Sequence, residues 1–196
     1  MRNFEKRNKT TKTMVLGAIL TALVVVLQMA GSFIRFGMFS MSLVLIPIVI
    51  GAATCGPKVS AWLGFVFGVV VLITDASAFL AISVAGTVFI VLLKGICCGF
   101  VAGVVYKLLE KTNRYVGITA AALVCPVINT GIFLIGCKLF FFETICEWGA
   151  GLGYANAVAY MFLGLAGINF LLELLLNIVL CPVIIRVINI QKAIEI

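Results

Sequence analysis

The side chains best suited to chemistry in this sequence are a few charged and amide groups that interrupt long apolar stretches. Lys94 and Glu173 are the two charges at such depth, and Asn169, Glu173 and Asn177 recur every four residues, which places them on one face of a helix. Charges inside a membrane span are costly, face the protein interior and indicate a functional site by default. We therefore expect Lys94 and Glu173 either to line a polar cavity or to form a structural ion pair between two helices.

A second polar group lies in the segment 126–131, where Pro126, Asn129 and Thr130 fall within five residues. A proline at membrane depth leaves a backbone carbonyl without its helical donor, which is tolerated where neighbouring groups or a cavity satisfy it. The Asn129 amide both donates and accepts hydrogen bonds. This combination predicts that Asn129 and Thr130 contact a ligand, with helix packing as the alternative.

Several kinds of chemistry are excluded by residues that the chain lacks. It contains no histidine, so imidazole metal sites and histidine acid–base catalysis are excluded. Asp75 is its only aspartate, which excludes a pair of catalytic aspartates, and no segment fits the phosphate-binding pattern G-x-x-x-x-G-K-[ST]. We expect no cofactor, no metal site and no enzymatic activity, and any active transport must draw its energy from an ion gradient or a partner.

These side chains must be positioned by membrane-spanning helices, because the 196-residue chain is 64% hydrophobic and only 11% charged. A soluble domain is typically about 25% charged. A spanning helix needs about 20 apolar residues, and runs of this kind predict an all-α bundle of six transmembrane helices at 14–33, 40–55, 59–73, 84–108, 116–140 and 157–188. We expect residues 1–13 to form a basic tail, 14–190 a single transmembrane domain and 191–196 a second tail.

The distribution of basic residues indicates how these helices are oriented. With six spans both termini lie on one side of the membrane, and that side carries eleven of the 14 cations, whereas the other side carries Arg35 and Lys138. Loops rich in Lys and Arg remain in the cytoplasm, so both termini of this multi-pass protein are expected there. The cations are dispersed over tails and short loops, which does not suit nucleic-acid binding.

The three segments predicted on the outer side are too apolar for aqueous loops. The first, 33–39, carries one charge, Arg35; the second, 74–83, is about as hydrophobic as a helix; the third, 141–156, contains Trp148 and Tyr154. Loops exposed to water are normally rich in Gly, Pro, Asn, Asp and Ser. We expect these segments to fold down as lids, with interfacial anchoring of their aromatic rings as the alternative.

Small residues at four-residue spacing indicate where helices approach each other closely in a membrane. The third and fourth spans carry such a stripe, and we expect its members to pack inside the chain's own bundle: Gly64, Gly68, Gly95, Gly99 and Gly103. Ala18 and Ala22 show the same spacing in the first span, where the pattern is weaker because alanines are common in apolar helices.

Over nearly the whole chain these features resemble the substrate-capture (S) components of energy-coupling factor (ECF) vitamin importers. The resemblance rests on the six spans, the basic N-terminal tail, Ala18-Ile-Leu-Thr-Ala22, Ile46-Pro47, Gly56-Pro57-Lys58 and Pro126-Val-Ile-Asn129-Thr130-Gly131. It implies that Ala18 and Ala22 dock on a shared transmembrane subunit that two ATPase subunits drive. The resemblance therefore supplies the energy source whose motif is absent from this chain.

The same resemblance implies a ligand site in the outer half of the bundle, with Asn129 at a polar ligand contact and Arg35 in a gating loop. The expected substrate-binding residues are Asn129, Thr130, Lys94, Arg35, Glu173 and Asn169. The ligand is expected to be a water-soluble vitamin or precursor of the riboflavin, pantothenate or folate class. The aromatic loops suit a flavin, whereas Arg35 or Lys94 suits a ligand carboxylate.

The main alternative is a self-sufficient, ion-coupled secondary transporter of a small metabolite that uses Lys94 and Glu173 as a proton relay. Such a chain would need to dimerise, and the inverted repeats that many of these folds carry are not apparent in the sequence. An intramembrane enzyme is the third possibility, and the missing catalytic residues disfavour it.

Overall fold

The structure, a computed structural model, describes the backbone of residues 2–33, 35–36, 39–40 and 43–194, and the side chains of residues 10–33, 43–167, 169–186 and 188. Within these ranges two short strands, β1 (Arg35–Phe36) and β2 (Phe39–Ser40), pair antiparallel. The other described elements are α1 (Arg2–Gly31), α2 (Leu45–Thr54), α3 (Pro57–Thr74), α4 (Ser77–Leu80), α5 (Val84–Leu109), α6 (Arg114–Phe140), α7 (Phe142–Gly151), α8 (Ala157–Ala159), a π-helical segment (Tyr160–Leu165) and α9 (Gly167–Ile194).

The bundle of apolar helices expected from the sequence is confirmed, with one correction to its second member. Five described helical segments are long and apolar enough to cross a membrane: Thr10–Gly31, Pro57–Thr74, Val84–Leu109, Arg114–Phe140 and Ala157–Arg186. The second predicted span, 40–55, is shorter than expected, because Ser40 lies in β2 and the helix α2 has only ten residues. Ten residues rise about 15 Å, about half of the hydrocarbon core. Eight of the ten are buried, so α2 is apolar because other helices surround it.

The turn between α2 and α3 has the conformation that Gly56-Pro57-Lys58 predicts. Gly56 has φ of 86° and ψ of 179°, a backbone conformation that only glycine adopts at little cost. Pro57 then opens α3, where the absent N–H and fixed φ of proline fit the first helical turn. The chain therefore reverses direction within two residues of the end of α2.

The glycine stripe packs α3 directly against α5, as expected from its spacing. Gly64 and Gly95 face each other backbone to backbone, and a Cβ atom on Gly68 would lie 2.9 Å from the Val91 carbonyl oxygen. Such close approach leaves no room for side chains. The prediction that these glycines pack within the chain's own bundle is confirmed, and the close contact fixes α3 beside α5.

Apolar side chains form two buried clusters. The larger one joins α1, α2, α3, α5, α6 and α9, and includes Ile48, Phe67 and Ile118. The smaller one, called here the outer cluster, consists of Phe79, Ile90, Cys137, Phe141, Ile145, Ala157, Tyr160, Met161 and Leu165. It gathers the connecting segments over one end of the bundle.

Two of the three predicted lids fold onto the bundle, as expected. The segment 74–83 contains α4, whose Phe79 is 4% exposed, and the segment 141–156 contains α7, whose Ile145 is fully buried. The Phe79 ring meets Phe141 and Trp148 edge to face, with centroid distances of 5.1 and 5.5 Å. The first predicted lid, 33–39, lies largely outside the described side chains.

Candidate ligand cavity

A polar cavity of about 60 Å³ lies where α1, α3, α5, α6 and α9 meet, next to the outer cluster. Its walls are formed by Gln28, Val71, Asp75, Lys94, Asn129, Thr130, Phe133, Leu165, Ala166, Asn169, Phe170 and Glu173. Five of the six substrate-binding residues expected from the sequence are among them. A smaller cavity of about 30 Å³ shares Asp75, Lys94 and Phe133 with it and extends to Phe79 of α4, so the polar site continues toward the lids.

The Lys94 ammonium lies over two aromatic rings, 5.8 Å from the centroid of Phe67 and 5.2 Å from that of Phe133. A cation over a ring face is attracted by the ring quadrupole, most strongly where water is excluded. Glu173 and Asp75 line the same cavity as this ammonium, so two acidic side chains share it with one basic side chain. Lys94 and Glu173 therefore line the same cavity, which is one of the two arrangements expected from the sequence, and the ion pair stays a prediction.

Asn129 lines the cavity and carries a buried hydrogen-bond acceptor. The residue is 5% exposed, and its Oδ1 atom has no hydrogen-bond partner among the residues that the structure describes. A buried acceptor without a partner costs about 1–3 kcal/mol. A ligand N–H or O–H group placed beside Oδ1 would recover that free energy.

The helix that carries Asn169 and Glu173 is preceded by an irregular turn. The Ala166 N–H donates to the Met161 carbonyl oxygen, five residues earlier, at 3.0 Å, and the residues Tyr160–Leu165 are π-helical. Single π-helical turns within α-helices occur frequently at functional sites. Here the wider turn ends with Leu165 and Ala166 in the cavity wall, immediately before α9.

The stripe of Asn169, Glu173 and Asn177 points into the bundle as expected, but it divides between two recesses. Glu173 is 6% and Asn177 1% exposed. Asn169 and Glu173 line the central cavity, whereas Asn177 lines a separate recess of about 230 Å³ between α6 and α9, beside Thr119. The central cavity therefore ends at Glu173, and Asn177 is a buried amide outside it.

Two polar residues of the cavity wall, Gln28 and Asp75, were not among the predicted site residues. Gln28, 1% exposed at the end of α1, donates from Nε2 to Asp75 Oδ2 at 3.0 Å. The Thr74 hydroxyl donates to the same oxygen at 2.8 Å, which holds the carboxylate at the cavity edge. The sequence carries a signal for each: Gln28 is a lone amide late in an apolar run, and Asp75 is the single aspartate of the chain. The predicted outer segment 74–83 contains Asp75.

Three further predicted residues lie away from the described cavity walls. The backbone of Arg35 belongs to β1, opposite Ser40 in β2, and its side chain lies outside the described residues. Ala18 and Ala22 are exposed on α1, on a face that also presents the exposed side chain of Ile19. Among the residues that the structure describes, this face of α1 is therefore exposed.

A family model described as "ECF transporter, substrate-specific component" matches residues 12–185. The chain belongs to this family. No match was found among curated proteins or among solved structures. Membership makes the S component a transport protein, and its several spanning-length helices make it a multi-pass protein of the cell membrane. It also implies a small-molecule substrate and association with the other ECF components.

Proposed function

We propose that the S component captures a water-soluble vitamin or vitamin precursor in the central cavity. The observation that carries this proposal is the buried Asn129 acceptor, placed in one cavity with the Lys94 ammonium. Binding sites use a few well-placed polar groups within mostly apolar walls, and Phe133 and Phe170 supply such walls here. The S component acts as a binding and uptake subunit without enzymatic activity.

Among the expected vitamin classes, the charges of the cavity favour an uncharged ring over a carboxylate ligand. Lys94 is the one basic residue in the described wall, which also contains the acidic residues Glu173 and Asp75. A pantothenate or folate carboxylate would meet both of these negative charges in a medium of low dielectric constant. A flavin instead offers one ring N–H donor to Asn129 Oδ1, carbonyl acceptors to Lys94 and a flat face to the phenylalanine rings. The riboflavin class is therefore the proposed ligand.

Ligand entry requires the cavity to widen. A volume of about 60 Å³ is well below the roughly 300–1,000 Å³ of sites for drug-sized molecules. The segments best placed to move are α4 and α7, because Phe79 contacts Phe141 and Trp148 by ring edges above the smaller adjoining cavity. We propose that these lids separate to admit the vitamin and close over it.

Release toward the cytoplasm is proposed to need a shared transmembrane subunit and two ATPase subunits. The exposed face of α1 with Ala18 and Ala22 is the proposed docking surface, since small side chains let another helix approach closely. The end of the bundle that carries most of the Lys and Arg residues is proposed to face the cytoplasm, and both termini are proposed to lie on that side.

The test begins with the purified S component and no partner. Mass spectrometry identifies small molecules that remain bound after purification, and fluorescence titration measures riboflavin affinity. Retention of a flavin, together with saturable riboflavin binding, supports the proposal. Pantothenate or folate binding with no flavin binding would reject the ligand class and leave the capture role intact.

The secondary transporter remains a second candidate because Lys94, Glu173 and Asp75 share one cavity. Proteoliposomes that contain only the S component separate the two functions. Uptake driven by a proton gradient without any ATPase subunit would establish the secondary transporter. Uptake that requires the added ATPase-bearing complex and ATP would establish capture for an ECF transporter.

A further inference from the structure

A second, larger recess of about 850 Å³ lies at the end of the bundle opposite the lids, where α2 turns into α3 and α5 ends. It arises from unequal helix lengths. Gly103 of α5 packs against Pro57 at the start of α3, and α5 then continues to Leu109, about 9 Å further. The turn at Gly56 stops short of this extension, so the turn and the protruding end of α5 become two walls of an open recess.

The rim of this recess is basic. Lys58, Lys107 and Lys111 line it and are exposed, and Glu110 is the one acidic residue in the described lining. The first turn of α3 opens at the same place. The N–H groups of Lys58 and Val59 precede the first intrahelical bond, which Ser60 donates to the Gly56 carbonyl oxygen. No side chain caps this helix end, and it carries the positive end of the helix dipole. Three lysines and a helix N-terminus therefore converge on one recess and complement an anion.

The rest of the recess is apolar and continues onto the outer surface of the bundle. Phe100 is 48% and Leu108 69% exposed, and Val104 lies between them along α5. Tyr106 also lines the recess; it is 4% exposed, and Glu110 and Arg114 lie near its hydroxyl. An apolar wall below a cationic rim, with a buried hydroxyl between them, matches a molecule with an anionic head and a hydrocarbon tail.

We propose that this recess binds an anionic phospholipid of the inner leaflet. Its phosphate lies among Lys58, Lys107 and Lys111 at the start of α3, and an acyl chain runs along Phe100 and Val104. Basic recesses between helices on the cytoplasmic side are suited to anionic headgroups. A soluble phosphate would gain nothing from the exposed apolar wall, and an acidic protein segment would leave that wall facing the membrane.

The test uses full-length S component exchanged into micelles with phosphatidylglycerol or phosphatidylcholine, and native mass spectrometry counts the lipids retained. Phosphatidylglycerol should be retained and phosphatidylcholine lost. The triple variant Lys58→Gln/Lys107→Gln/Lys111→Gln should lower phosphatidylglycerol affinity at least tenfold, because each lysine near an anionic surface contributes about fivefold. The charge-matched variant Lys6→Gln/Lys9→Gln/Lys12→Gln should retain the lipid.

Three results would overturn the proposal. Equal losses in the two triple variants would mean diffuse attraction by surface charge. Displacement of the lipid by millimolar inorganic phosphate would mean an anion site, and displacement by an acidic peptide of the partner subunit would mean a protein-docking site. Thermal stability and vitamin binding, measured alongside, show whether each variant is folded. If the triple variant does not fold, the single change Lys107→Gln should still lower affinity about fivefold, and no change would reject the site.

Discussion

Replacing Asn129 by alanine tests the central site most directly, because the structure makes opposite predictions for binding and for stability. Asn129 lines the cavity, and its buried Oδ1 atom has no hydrogen-bond partner among the described residues. If a ligand donor fills that position, Asn129→Ala removes a hydrogen bond worth about 1–3 kcal/mol. This corresponds to a Kd raised about 5- to 150-fold.

The ligand-free protein should respond differently. The alanine variant loses a buried acceptor whose desolvation no described residue compensates, so its free energy of unfolding should stay the same or rise slightly. A change that weakens binding without lowering the melting temperature of the ligand-free protein separates a ligand contact from a residue needed for packing.

Asn177 supplies a matched control for this experiment. It is 1% exposed, and its Oδ1 atom likewise has no hydrogen-bond partner among described residues, but it lies outside the central cavity. Asn177→Ala therefore makes the same chemical change at similar depth and should leave Kd within about twofold. Isothermal titration calorimetry of both variants and the parent gives the comparison, and thermal unfolding without ligand gives stability. An unchanged Kd for Asn129→Ala, or an equal loss for Asn177→Ala, would refute the assignment.

Three further changes test docking, helix packing and the lids. Ala22→Trp should abolish uptake by the assembled transporter while leaving the Kd for the vitamin unchanged. The control Val127→Trp, an equally bulky change at a half-exposed position of α6, should preserve uptake, and loss of uptake in both variants would contradict a docking role. Gly64→Ala places a Cβ atom against the α5 backbone and should lower the free energy of unfolding by about 1–3 kcal/mol. The control Gly131→Ala, whose new Cβ would have no atom within 4 Å, should be neutral or stabilising in thermal unfolding, and equal melting temperatures of the two variants would disprove the close packing. Phe79→Ala removes three ring-edge contacts, each worth about 0.5–1.5 kcal/mol. It should therefore speed ligand dissociation at least tenfold in stopped-flow measurements, and an unchanged dissociation rate would exclude α4 as a lid.

Much of the candidate site could be predicted from sequence because membranes make polar groups conspicuous. Lys94, Glu173 and Asn129 interrupt apolar runs, and a charge or amide in such a run has to face the protein interior. The structure places all three in one cavity. Their contribution to ligand binding stays a prediction that the experiments above decide.

The contact between Gln28 and Asp75 could not be predicted from the sequence. They are separated by 47 positions, and each lies at the end of its helix, where a polar residue normally faces water or headgroups. Only the packing of α1 beside α3 turns them toward each other and toward Lys94. The same holds for Asn177, whose spacing fixes its helical face but not the recess that this face meets.

The sequence by itself determined three things: that this protein is a membrane protein, which segments form its apolar helices, and which polar side chains those helices must bury. Each of these follows from local composition and periodicity. The tertiary structure decided that α2 is a short helix whose side chains are mostly buried, that the segments around α4 and α7 pack into or against the outer cluster, and which polar groups share a cavity. These features depend on contacts between residues far apart in the chain, and such contacts are set by how helices of unequal length pack together.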